Sequence, residues 1–138
     1  MEISDYENVI ALWQETEGVR LRCTDSREGV EKCLKRNLGL SFVACLVAEK
    51  GDQIVGTIMS GHDGRRCNIQ HLAISSDWRQ TGIATALLSR CIQGLKREGI
   101  FRSQIYVLSE NVLAKKCWSS RGCEKRTDIK VYSSVNEE

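Results

Sequence analysis

Apolar positions recur at helical spacing near both ends of the chain and crowd into short unbroken runs in its middle. Between Asp5 and Glu17, Val9, Ile10, Leu12 and Trp13 fall on one stripe, with Ser4 or Asp5 placed to cap its start and Gly18 to stop it. A second helix is predicted from Asp25 or Ser26, carrying Val30, Cys33, Leu34 and Leu38 and closing at Gly39. The period then changes. Ser41 to Glu49 and Gln53 to Ser60 are β-branched apolar runs joined by Lys50-Gly51-Asp52, the pattern of an antiparallel hairpin. His62-Asp63-Gly64-Arg65 turns the chain into a third run, Cys67 to Ile74. Next, Ile83, Ala84, Leu87, Leu88, Cys91, Ile92 and Leu95 form one helical face, ended by Lys96, Arg97 and Gly99. A strand is expected over Gln104 to Leu108, a helix over Val112 to Ser120 closed by Gly122, and a last strand within Cys123 to Tyr132.

Two helices, three strands and then helix, strand, helix, strand, with antiparallel pairing early and crossovers late, predict an α+β fold, a mixed α/β sandwich. A length of 138 residues fits a single domain over 1–138. Hydrophobic residues at 41% and charged residues at 28% argue against disorder and against a coiled coil. The formal net charge of +2 is too small an excess for a dedicated nucleic-acid or membrane-surface binder, so neither partner is expected. No apolar run approaches the length of a bilayer crossing, and the start Met1-Glu2-Ile3-Ser4-Asp5 is acidic with no apolar run behind it, so a cytoplasmic location is expected. Seven cysteines form no C-x-x-C pair, which leaves a metal site and a disulfide framework without their spacing; most are expected to be small buried hydrophobes.

The stretch from Leu72 to Thr85 is the most informative chemically, because a buried strand stops there and the longest helix begins after a polar loop. A helix start leaves backbone N–H groups unpaired and concentrates partial positive charge, so an anion such as a pyrophosphate can dock on it. Gly82 and Ala84 keep that approach clear of side chains, Arg79 adds a cation, and Gln80, Thr81 and Thr85 offer further donors. The segment is neither a P-loop nor a three-glycine dinucleotide fingerprint.

Arg79-x-x-Gly82-x-Ala84, preceded by Leu72-Ala73-Ile74 and followed by Leu87-Leu88, resembles the acyl-CoA motif of the GNAT superfamily of N-acetyltransferases. Downstream, Asn111-x-x-Ala114-x-x-x-Trp118-x-x-x-Gly122-Cys123 is similar to that family's closing pattern, with Trp and Cys where Tyr and Phe are usual. The resemblance implies a mostly antiparallel twisted sheet with a central splayed strand pair, flanked by helices, with the first edge strand short or absent. It implies that the backbone of Gln80, Thr81, Gly82, Ile83, Ala84 and Thr85 binds the CoA pyrophosphate, and that the pantetheine arm runs along Leu72, Ala73 and Ile74. Asn111 would then sit near the arm and Trp118 near the thioester. An open edge at the sheet's start would be covered by a second copy, which makes a homodimer the expected assembly.

The likeness thins at the acid and base. Glutamates usual in the family correspond here to Asn68 and Tyr106, and the usual tyrosine proton donor corresponds to Trp118, whose indole N–H can donate a hydrogen bond but not a proton. The remaining candidates are His71 as base and Tyr106 as proton donor or substrate contact, with Glu110 behind them; Cys117, near Lys115 and Lys116, lacks the partnered base that an acyl-cysteine role would need. Strand alternation places His71 on the opposite face from Asn68 and Gln70. Acetyl-CoA as acyl donor and an amine acceptor, small molecule or protein, are the expected substrates. The alternative class is a non-catalytic acyl-CoA sensor or interaction module, which the missing acid and base keep open.

Overall fold

The computed structural model describes residues 1–49 and 51–136, so Lys50 of the expected hairpin loop lies outside the described residues. The chain divides into two compact units, Met1–Tyr106 and Val107–Glu138. In the first unit, helices α1 (Tyr6–Glu15) and α2 (Arg27–Arg36) precede strands β1 (Phe42–Leu46), β2 (Gln53–His62) and β3 (Cys67–Ile74), then helix α3 (Ile83–Arg97) and strand β4 (Ser103–Ile105). The sheet order is β1-β2-β3-β4, antiparallel at the first two junctions and parallel at the third. Ahead of α1 the chain makes a 3-10 turn, Ile3–Asp5, and no strand.

Helix limits follow local chemistry. Ser26 caps α2 by accepting from Gly29 N–H, which leaves Asp25 free to turn inward. At the other end of α3, Ile100 N–H reaches Leu95 C=O and Gly99, at φ +74°, donates to Lys96 C=O, so the glycine supplies the left-handed residue that this helix stop requires.

Successive β2 residues face opposite layers. Thr57 accepts from Trp13 Nε1 of α1 at 2.9 Å, whereas a side chain at Gly56 would strike Ile83 and Leu87 of α3. Thus α1 and α2 cover one face of the sheet and α3 the other. The first layer packs Val9, Leu12, Trp13, Val30, Ile54, Met59 and Ala73 into one buried cluster. The absence of a side chain at Gly56 lets the first turn of α3 lie directly on β2.

Most of the seven cysteines are not the small buried hydrophobes expected: only Cys67 and Cys91, between β3 and α3, are fully buried, while Cys33, Cys117 and Cys123, at the margins of the packed layers, are half-buried; burial, with Cys91 adding repulsion, pushes the Cys67 thiol up to about 11. Burial likewise raises Cys91. Cys23 and Cys45, in contrast, are exposed. At pH 8 only about a thousandth of a thiol with that value is thiolate, so iodoacetamide should modify Cys23 and Cys45 of the native protein and reach Cys67 and Cys91 only in denaturant. Peptide mass spectrometry reads this directly; rapid native labelling of Cys67 would contradict the packing of α3 on β3.

The second unit holds helix α4 (Val112–Ser120), capped by the Asn111 side chain accepting from Ala114 N–H at 3.0 Å. It ends with Cys123 N–H on Trp118 C=O and Gly122 at φ +78°. The strand expected within Cys123 to Tyr132 does not form: no strand lies in 123–136, and Ile129, Val131 and Tyr132 stay exposed because no neighbouring strand pairs with them. No helix of the described residues is long and apolar enough to cross a membrane.

Candidate active site

The β3/β4 junction shapes the site. These strands pair only through Cys67↔Ser103, Asn68↔Gln104 and Ile69↔Ile105, while β3 runs on to Ile74. Among the described residues, β3 has no strand on its β4 side from Gln70 onward. Leu72, Ala73 and Ile74 therefore present a strand edge with no described residue paired to it on that side, where an amide-bearing arm can add as a further strand. Tyr106 falls one residue beyond β4 rather than within the expected longer strand, and is 58% exposed, at the point where the two strands part.

Beyond Ile74 the loop is fixed by Ser75 N–H on Val55 C=O at 2.8 Å and Trp78 N–H on Ser75 C=O at 2.9 Å, and Thr81 Oγ1 donates to Trp78 C=O. Gln80 (φ +59°) and Gly82 (φ +85°) both adopt left-handed backbone, so the chain turns sharply as it enters α3. Gly82 is the N-cap of α3 with no side-chain cap, and nothing lies within 4 Å of where its Cβ would stand. The exposed Arg79 guanidinium has no ion pair or hydrogen bond among the described residues. An uncapped helix start, an open glycine and an uncommitted cation fit a pyrophosphate, and the open β3 edge leads away from them. Asn111 and Trp118 belong to the second unit, where one caps α4 and the other is its buried side chain.

The expected alternation fails at His71. Thr57 pairs with Ala73 and Met59 with Gln70, so β3 carries one residue more than β2 over this interval. That bulge holds His71 at φ +49° and turns it to the same face as Asn68 and Gln70, toward α1 and α2. Its ring lies 4.3 Å from the Trp13 ring, centroid to centroid, and Nε2 is 2.7 Å from Asp25 Oδ1. Both side chains are largely buried, at 13% and 11% exposure. Thr57 Oγ1, which accepts from Trp13, donates in turn to His71 C=O at 2.9 Å and so ties the bulge to α1. Asp25 is itself held: Oδ2 accepts from Arg22 N–H at 2.7 Å and its carbonyl from Tyr6 Oη at 2.9 Å.

A carboxylate can only accept, so Asp25 fixes the proton of neutral His71 on Nε2 and leaves the lone pair on Nδ1. Nδ1 has no partner among the described residues, yet it is not a sealed orphan atom. A ring held in one tautomer with its other nitrogen open can take a proton. In the sequence Asp25 stands as a helix cap and as one of several charges in the segment ahead of and along α2; its partner is 46 residues away, and no local pattern signals the pair.

The chain belongs to the GNAT acetyltransferase family: the family model described as Acetyltransferase (GNAT) family matches residues 7–123. Solved structures share the fold. AAC(6')-Iy, in complex with a bisubstrate analog, CoA-S-monomethyl-acetylneamine, is 17% identical with a TM-score of 0.73, covering 99% of this chain and 95% of that one. The PaiA N-acetyltransferase from Thermoplasma acidophilum, in complex with coenzyme A, is 17% identical with a TM-score of 0.70, covering 88% and 84%. An aminoglycoside acetyltransferase from an uncultured soil metagenomic sample, in complex with sisomicin, is 18% identical with a TM-score of 0.68, covering 99% and 93%.

Proposed function

We propose that the protein is an acetyl-CoA-dependent N-acetyltransferase that moves the acetyl group to a primary amine by direct attack within a ternary complex. The observation that carries this reading is the conjunction, on one strand, of an unpaired edge at Leu72–Ile74 with an Asp25-held His71 at its bulge. The loop and helix start from Arg79 to Thr85 grip the pyrophosphate, and the β3 edge aligns the pantetheine arm so that the thioester lies beside the bulge. Backbone N–H groups there, outside the regular register, polarise the thioester carbonyl. His71 Nδ1 takes a proton from the amine, directly or through one water, as the nitrogen attacks. The C–S bond breaks, the acetyl group stays on nitrogen as an amide, and the thiolate is protonated to the thiol, with Tyr106 Oη as donor. Holding amine and thioester in register supplies much of the rate.

The test is incubation with labelled acetyl-CoA and a broad panel of amines, followed by mass spectrometry of N-acetyl product. Saturable CoA binding with no product from any amine would favour the sensor reading instead; labelled acetyl retained on the protein itself would replace direct attack by an acyl-enzyme route.

A further inference from the structure

A cavity of about 510 Å³ opens on the α2 side of the sheet, against Asn68 and Gln70 of β3 and Gln104 of β4, one step along β3 from the bulge. Its charged lining is unbalanced: Arg36 from the last turn of α2, together with Arg65 and Arg66 from the β2–β3 turn, face a single carboxylate, Asp63. That carboxylate is already committed. Asp63 Oδ1 accepts from the backbone N–H of Arg65 at 2.8 Å and of Arg66 at 2.9 Å, and Oδ2 lies 3.7 Å from Arg65 Nη2. These bonds hold its carboxyl below the usual carboxylate range and set its charge against Arg65. His62, also at the rim, is bound through Nε2 to Glu98 at 2.7 Å.

Arg36 and Arg66 are then left over, since neither guanidinium has an ion pair or hydrogen bond among the described residues. The other polar groups against β3 and β4 are neutral amides, so the cavity has no carboxylate free to receive an ammonium group. A polycationic acceptor would meet two uncompensated positive charges, whereas a carboxylate or phosphate would meet two planar donor sets suited to bidentate contact. The same positive field favours a free amine over its ammonium, which is the form that attacks.

We infer that the acceptor is an amine carrying a second, anionic group, a carboxylate or a phosphate, which Arg36 and Arg66 hold while the amine faces the bulge. This rests on the acetyltransferase reading and narrows its substrate class.

The experiment is calorimetric titration of the CoA-loaded protein with matched pairs, glucosamine 6-phosphate against glucosamine and L-glutamate against L-glutamine, with spermidine as a cationic probe. At least one anionic member should bind tenfold or more tightly than its neutral twin. The pair that shows the preference tells phosphate from carboxylate. The preference should shrink to under about threefold in an Arg36→Gln/Arg66→Gln variant and weaken as salt is raised. Neutral twins or spermidine binding as tightly, a preference that survives the double substitution, or no binding by any anionic amine would each overturn the inference. CoA titrated separately into both proteins keeps the two readings apart: failure of wild type to bind CoA strikes the acetyltransferase reading, while intact CoA binding with any of those three results strikes only this one.

Discussion

Replacing Asp25 by asparagine is expected to lower kcat by about a hundredfold or more while leaving CoA affinity within about twofold, because general-base catalysis contributes roughly 10² to 10⁴. The substitution keeps the shape of the side chain. Its amide can turn an N–H toward His71, however, which stabilises the tautomer whose Nδ1 carries the proton and can no longer accept one. His71→Gly separates chemistry from folding. The backbone at φ +49° suits glycine without strain, and the deleted ring leaves a gap beside Trp13. Turnover should fall with it and recover in part when imidazole is supplied in solution. Full turnover in both proteins would remove His71 from the reaction and return it to a purely structural bond between the bulge and the segment ahead of α2.

Gly82→Val is expected to weaken CoA binding at least tenfold, about 1.4 kcal/mol. The open space around Gly82 means that no protein atom would clash; the new side chain would stand in the approach to the start of α3. The structure adds a second cost. With φ at +85°, a β-branched residue is strained by about 1–2 kcal/mol whatever the space, so thermal stability should fall as well. Gly82→Asn resolves the two effects, since asparagine tolerates left-handed backbone: its stability should stay near wild type while its CoA affinity falls. Calorimetry alongside thermal melts reads both. Two variants that bind CoA like the wild type would place the pyrophosphate elsewhere.

How legible each part was depended on the range of the interactions that make it. Helices α1 to α4 and the first three strands follow from apolar period and from caps a few residues away, as at Ser26, Gly99 and Gly122. The loop from Arg79 to Gly82 was legible for the same reason. The apolar pattern of 123–136 makes no strand because a strand needs a partner as well as a pattern, and these residues have none. Alternation puts His71 on the wrong face because it counts residues along one strand, whereas a bulge is a mismatch between two.

Apolar period and nearby caps by themselves determined the layered fold, and the motifs around Gly82 and Gly122 carried the resemblance to the family, since each is written in residues close together in the chain. Only the tertiary structure brought Asp25 beneath His71, ended the β3/β4 pairing at Ile69, and left Arg36 and Arg66 around one cavity without carboxylate partners among the described residues. Those arrangements join segments tens of residues apart, and a sequence lists side chains without saying which of them packing will leave unpaired.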